Sequence, residues 1–486
     1  MSGGPAGVGV RPPRRRLRIP AWAAAAAAGL AAAPGAASAA ALDGGALSAA
    51  WGLPFAGVLL SIALVPLLAP RFWHHHFGKV VAGWALAFLL PFAVVFGPAA
   101  AATGFVHALV AEYLPFILLV GTLYVVAGGI YLRGNLHGSP ALNTGLLATG
   151  ALLASVMGTT GASMLLIRPL IRANDNRRHN AHVVVFFIFV VSNAGGSLTP
   201  LGDPPLFLGF LKGVSFGWTL QHLWPQTLFL VAGLLAIFWL LDGWLYRREG
   251  VTPIDPTPDT PRLAIDGGVN LLLLAGVVGL VLMSGLWHGG IAVVVAGAEL
   301  SWGGLLRDAG LLLLAAASLR LAPQAPRAAN GFTWAPMAEV AKLFAAIFLT
   351  IIPVIAMLRA GTQGPFAAVV AAVTGPDGQP LPAMYFWASG LLSSFLDNAP
   401  TYLVFFNTAG GDAAALMTTL APTLAAISAG SVFMGANTYI GNAPNLMVKA
   451  IAEERGVAMP SFFGYMAWSG AVLLPLFALM TWVWFR

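Results

Sequence analysis

Long apolar blocks run through this chain, separated by short basic segments or by Gly- and Pro-rich ones. Trp51 to Pro70, Val80 to Phe96, Leu114 to Leu132, Leu223 to Trp244, Val269 to Leu286 and Phe462 to Trp484 predict membrane-spanning helices, and Leu311 to Leu319 and Leu343 to Leu358 predict spans or parts of them. Other blocks are too short to cross. As helix, Thr144 to Met157 is about 21 Å long and Val183 to Val191 about 14 Å, against a hydrocarbon core of about 30 Å. Tyr385 to Phe395 is a further half-length helix. Each short block runs into polar residues at what should be membrane depth: Gly158 to Ser163, Ser192 to Phe210, and Asp397-Asn398-Ala399-Pro400.

Backbone inside a bilayer cannot stay unpaired, so such breaks survive only where protein buries them or a water-filled cavity meets them, as at transporter binding sites. The longest is SNAGGSLTPLGDPPLFLGF, Ser192 to Phe210, and GANTYIGNAPNL, Gly435 to Leu446, repeats its pattern. Gly202-Asp203-Pro204-Pro205 falls over Gly441-Asn442-Ala443-Pro444, with Thr199 over Thr438, an offset of 239 residues from Gly202 to Gly441. Upstream, Thr159 to Leu165 falls over Asp397 to Leu403 at 238 residues. Few of the paired positions are identical, so chance likeness is the competing reading. Paired interruptions in corresponding positions of two halves nevertheless point to a secondary transporter.

Composition agrees: 58% of residues are apolar and only 8% charged, against about 25% charged in soluble domains, which excludes a soluble core. The net charge of +7 lies in short loops between apolar spans, as membrane topology arranges it, and does not point to nucleic acid. Cysteine is absent, which excludes disulfides and thiol chemistry. Residues 1–41 have a basic start, an Ala-rich run and Ala37-Ser38-Ala39, the anatomy of a secretory signal peptide or an N-terminal helix. A first half then covers 42–246, a Pro- and Asp-rich cytoplasmic linker 247–267, and a second half 268–486. Arg71 to Lys79 reads as a cytoplasmic interfacial loop in which His74, His75 and His76 are more readily solvated than metal-bound. Arg168 to His179, with four arginines, is the strongest cytoplasmic signal, and an anion site is its sharper alternative. Glu339 and Lys342 are spaced to pair on a helix, with a proton-relay role for Glu339 as the alternative.

The candidate chemistry rests on Asp203 and Asp397, the carboxylates in the breaks. An ionised carboxylate at membrane depth is expensive, so each should hold a proton or a cation such as Na⁺. Asn193, Ser197, Thr199, Asn398, Thr401, Asn437, Thr438 and Asn442, with carbonyls near Gly195, Gly202 and Gly441, supply hard oxygen donors for Na⁺. For each amide or hydroxyl singly, capping and bracing compete with that role.

SNAGGSLTPLGDPP, SSFLDNAPTYLVFF and ANTYIGNAPNL together resemble the ion transporter superfamily, which includes citrate and dicarboxylate carriers, arsenite pumps and sodium/proton antiporters. The chain is most similar to the bacterial family labelled sodium/proton antiporter or "putative citrate transport", over roughly Leu53 to Arg486. The resemblance implies an all-α polytopic membrane protein of two inverted-topology repeats, each with a re-entrant hairpin and a broken helix, usually a homodimer in the cytoplasmic membrane. It puts ion and substrate contacts at Ser192, Asn193, Gly195, Gly196, Ser197, Thr199, Gly202, Asp203, Pro204, Asp397, Asn398, Thr401, Asn437, Thr438, Gly441 and Asn442, with no resident cofactor. The chain departs from repeat symmetry in having Thr159-Thr160 opposite Asp397-Asn398 and Asp203 opposite Asn442.

Three functions follow as expectations. Na⁺/H⁺ exchange leads, because two acids suit a cation and no arginine lies in a break. Na⁺- or H⁺-coupled symport of citrate or another dicarboxylate is second, with the helix N-termini at Pro204 and Pro444 facing the anion. An intramembrane aspartyl protease is remote, since Pro200 stands where that chemistry needs glycine. On the arginine density, Asn176→Cys should resist an impermeant thiol reagent applied to intact cells; labelling from outside reverses the predicted orientation.

Overall fold

The structure, a computed structural model, describes residues 42–250 and 263–486. The expected leader, 1–41, and most of the linker, 251–262, lie outside the described residues. Helices dominate. In the first half they are α1 (Leu53–Leu68), α2 (Pro70–Phe96), α3 (Pro98–His107), α4 (Leu114–Gly128), α5 (Pro140–Met157), α6 (Thr159–Ala173), α7 (Ala181–Val190), α8 (Pro204–Leu211) and α9 (Trp218–Glu249). In the second half follow α10 (Val269–Leu286), α11 (Trp302–Leu321), α12 (Ala335–Thr350), α13 (Ile352–Arg359), α14 (Pro382–Phe395), α15 (Asn398–Thr408), α16 (Ala421–Phe433), α17 (Ala443–Glu454) and α18 (Phe462–Trp484). Shorter helical turns connect some of them. Sheet is confined to two antiparallel pairs, β1 (Tyr131–Arg133) with β2 (Ala264–Asp266) and β3 (Ile291–Val295) with β4 (Ala298–Ser301).

Prolines place many of the starts. α1, α2, α4, α5, α8, α12, α14, α16 and α17 all carry Pro in their first two positions, where the missing N–H costs nothing and φ is already helical. Among the described residues, seven helical stretches are long and apolar enough to cross a membrane, and an eighth is the pair α12 and α13, bent by 43°. This is a multi-pass helical membrane protein.

Burial is arranged from the short helices outward. From His182 to Val190, α7 is buried on every side, whereas the most apolar window of α2 is only 17% buried and Leu68, Val94 and Leu286 project outward. A helix apolar all round belongs either in a core or against lipid, and here the half-length helix takes the core while the long spans face lipid.

Several expected boundaries move. α4 ends at Gly128, and Tyr131 to Arg133 leaves the helix to pair with β2, so the span does not reach Leu132 and the linker is strand at Ala264 to Asp266. Arg71 to Lys79 is not a loop but the start of α2, and no cluster of three metal-binding side chains occurs among the described residues. The helix expected from Thr144 begins at Pro140, capped by Ser139; at 18 residues it is not too short to cross, contrary to expectation, but one of the seven stretches of crossing length. Only Gly158 (φ 82°) breaks the chain after it, and Thr159 to Ser163 is already the first turns of α6. Glu339 and Lys342 do not pair; Lys342 Nζ lies 4.9 Å from the Phe77 ring centre.

One buried polar network ties α5, α7 and α9 together at the arginine-rich end. Asp242 on α9 accepts from Arg177 Nη1 (2.6 Å), meets His182 Nε2 at 2.8 Å and accepts from Asn143 Nδ2 (3.0 Å), while Asn143 and Asn174 exchange amide bonds at 2.9 and 2.8 Å. Glu249 takes Arg177 Nε at 3.3 Å. Removing one partner of such a pair strands the other charge, so Asp242→Asn should lower unfolding stability by about 3–5 kcal/mol. Thermal unfolding in detergent reads this, and an unchanged midpoint contradicts it.

Candidate functional site

The site forms where four helix starts converge. Asp203 is the N-cap of α8 in extended backbone (φ −141°, ψ 143°), and Asn442 is the N-cap of α17 in the same conformation (φ −151°, ψ 139°). Part of the cause is local: Asp203 directly precedes Pro204 and is pushed out of the helical region, and prolines in the first two positions, Pro204 and Pro205 in α8 and Pro444 in α17, favour a helix start there. Thr159 and Asn398 open α6 and α15 on the other side.

These four meet at one carboxylate. Asp203 is 2% exposed; its Oδ1 accepts from Thr159 Oγ1 (2.9 Å) and Asn442 Nδ2 (3.2 Å), and its Oδ2 accepts from Asn398 Nδ2. Every partner is neutral. None of the ion pairs among the described residues involves Asp203. Beside it, Asn398 Oδ1 is buried with no hydrogen bond, a hard oxygen without a donor.

An amide relay extends from there. Asn442 Nδ2 also lies 3.2 Å from both Ser192 O and Asn193 Oδ1; Asn193 Nδ2 donates to Ile188 O and Asn445 Oδ1, both at 2.8 Å. Asn445 in turn donates to Gly435 O and Thr438 O at 2.9 Å. Ser163 and Ser192 hydroxyls meet at 2.9 Å.

The other expected contacts brace the breaks instead of facing the carboxylate. Thr199 donates to Ser155 O and accepts from Leu201 N, and the same bonds recur 239 residues on, where Thr438 donates to Ser394 O and accepts from Ile440 N. Ser155 Oγ reaches Gly195 O as Ser394 Oγ reaches Met434 O. Ser197 donates to Ala194 O, Thr401 to Asp397 O, and Asn437 to Ser394 Oγ. Gly196, Gly202 and Gly441 are pressed against neighbouring backbone or side chain.

Asp397 is not a hydrogen-bond partner of Asp203. It caps α15, accepting from Ala399 N at 3.0 Å, while its neighbour Asn398 makes the contact with Asp203 instead. It lines a cavity of about 590 Å³ with Arg168, Glu339, Asn442 and Glu454. Asp203 and Pro204 line a smaller one of about 100 Å³, and the two cavities share Tyr124, Pro336, Val340, Ala443 and Met447.

Sequence reasoning did not place Thr159 or Asn445 in the site. Thr159 had a signal, its alignment with the acid-bearing break. Asn445 had a weaker one, lying one helical turn after Asn442.

A helical membrane bundle whose half-length helices bring a buried, unpaired carboxylate to a cavity is built as a transport protein. Residues 44–485 match the family described as "putative citrate transport", and the chain belongs to that family. No curated protein matches it.

Close backbone contact gives a direct test of the break. A Cβ on Gly202 would lie 2.1 Å from Gly196 O, which cannot swing aside as a side chain would. Gly202→Ala should therefore cost about 1–3 kcal/mol, read as a lower thermal midpoint, while Gly243→Ala, which meets nothing within 4 Å, should not.

Proposed function

We propose that the chain exchanges Na⁺ for H⁺ across the bacterial cytoplasmic membrane, with both ions using Asp203. The observation that carries this is a buried carboxylate held by three neutral donors and no base. Left ionised and unpaired, such a group costs several kcal/mol, and a proton or a cation removes that cost. Asn398 Oδ1 and the Thr159 hydroxyl stand next to it as oxygen ligands for Na⁺. The larger cavity carries three carboxylates, Asp397, Glu339 and Glu454, to one arginine, Arg168, a balance that concentrates cations. In this reading α5–α8 and α14–α17 are inverted repeats, α5–α6 and α14–α15 their re-entrant hairpins, and the working unit a homodimer. Rocking of one repeat set against the rest exposes Asp203 to each side in turn.

Coupled symport of citrate or another dicarboxylate is the second reading, and the family match favours it directly. Here Asp203 carries only the coupling Na⁺ or H⁺, and the N-termini of α8 and α17 face the anion. Nothing in a transport family supports the protease alternative.

Proteoliposomes separate these readings. Na⁺ added alone should move protons in the wild type; Asp203→Asn should move none while its thermal midpoint is kept, because asparagine preserves volume and an acceptor but cannot ionise. Asp397→Asn should abolish exchange or require more Na⁺. Proton movement that needs citrate establishes symport, and full exchange by Asp203→Asn refutes the site.

A further inference from the structure

Three cavities are stacked along α4. Leu114, Pro115 and Leu118 line a vestibule of about 640 Å³, Leu119, Val120 and Leu123 line the Asp203 cavity, and Tyr124 reaches the cavity of Arg168. α8 gives the same order independently, with Asp203, Pro204 and Phe207 at the central cavity and Phe210 to Lys212 at the vestibule. The vestibule therefore lies on the face opposite Arg168.

Arg307, in the second turn of α11, lines this vestibule and is only 5% exposed. Its Nε donates to Asp308 Oδ1 at 2.8 Å, and its guanidinium carbon lies 5.9 Å from the centre of the Phe207 ring. Among the described residues, its Nη1 and Nη2 make no hydrogen bond. Of the other basic residues lining the vestibule, Lys212 and His288, Lys212 is already held by Glu112. A buried arginine with its Nη edge unused beside a cavity is a fork without its acceptor. Phe207 is buried and also lines the Asp203 cavity, so its ring separates the vestibule from the coupling carboxylate.

We propose that this vestibule is a docking site for a small organic di- or tricarboxylate, separate from Asp203. One carboxylate takes the Nη edge of Arg307 in the paired geometry that guanidinium and carboxylate share. Ser301 Oγ accepts from Gly304 N at 3.1 Å, which leaves its O–H to donate to a second. The volume falls within the usual range of small-molecule sites, about 300–1,000 Å³. The charged lining is balanced, Arg307 and Lys212 against Asp308 and Glu299, so the free Nη edge of Arg307 and not net charge is what selects a carboxylate. As a binding site it stands on Arg307; only the onward passage of the ligand rests on the carboxylate-symport reading.

The cysteine-free chain permits a direct test in lipid nanodiscs, where both faces are accessible. Glu299→Cys puts a thiol at an exposed position lining the vestibule. Citrate should slow its labelling by an impermeant maleimide several-fold, and chloride at matched ionic strength should not. Protection should vanish with Arg307→Gln, weaken with Arg307→Lys, which keeps the charge but not the fork, and persist in Asp203→Asn. Labelling unaffected by citrate, equal protection by chloride, or protection that survives Arg307→Gln overturns the proposal. Loss of protection in Asp203→Asn also overturns it, since the site would then not be separate. If Arg307→Gln does not fold, the citrate-against-chloride comparison and Arg307→Lys decide alone. Failed Na⁺/H⁺ exchange leaves this result untouched, so the two failures are distinguishable.

Discussion

Everything in this fold answers to one constraint, that polar backbone opened inside a bilayer must find its partners within the protein. Two broken helices and two helix breaks open it, and the nearby side chains close it again. Thr199 and Thr438 tie each unwound segment to the end of the facing helix, and Ser155 and Ser394 tie it a second time. Asn193, Asn442 and Asn445 link the two segments to each other. Many amides and hydroxyls of the motif thus brace the breaks, and this bracing keeps the helix starts aimed at one carboxylate.

Two buried aspartates show how environment separates stability from chemistry. Asp242 is matched by Arg177, His182 and Asn143, and holds α9 to α5 and α7. Asp203 is just as buried yet has only neutral donors. A charge with its counter-ion inside the protein needs nothing from outside, whereas one without it must take a proton or a cation, and that dependence suits a coupling site.

The cavities give the carboxylate unequal access. Shared lining residues join its cavity to the acid-bearing one beside Arg168, while Phe207 and Arg307 stand between it and the opposite vestibule. An asymmetry of this kind is what a single alternating-access site presents in one of its two states. The acid-rich side suits a cation and the free edge of Arg307 suits a carboxylate, so the two functional readings correspond to two sides of one molecule.

Hydropathy and proline placement determined a great deal by themselves. Val269 to Leu286 and Phe462 to Trp484 match their helices end to end, because an apolar run in lipid has few alternatives to helix. The recurrence of Gly-Asp-Pro-Pro as Gly-Asn-Ala-Pro located both helix starts, since a proline in the first two helical positions favours a start whatever surrounds it. Local pattern could not say that Tyr131 to Arg133 would leave its helix for a strand partner more than a hundred residues away, that Thr159 and Asn445 belong to the site, or that Asn398 and not Asp397 reaches Asp203. Those outcomes are set by which groups meet across the bundle, and tertiary structure alone decides that.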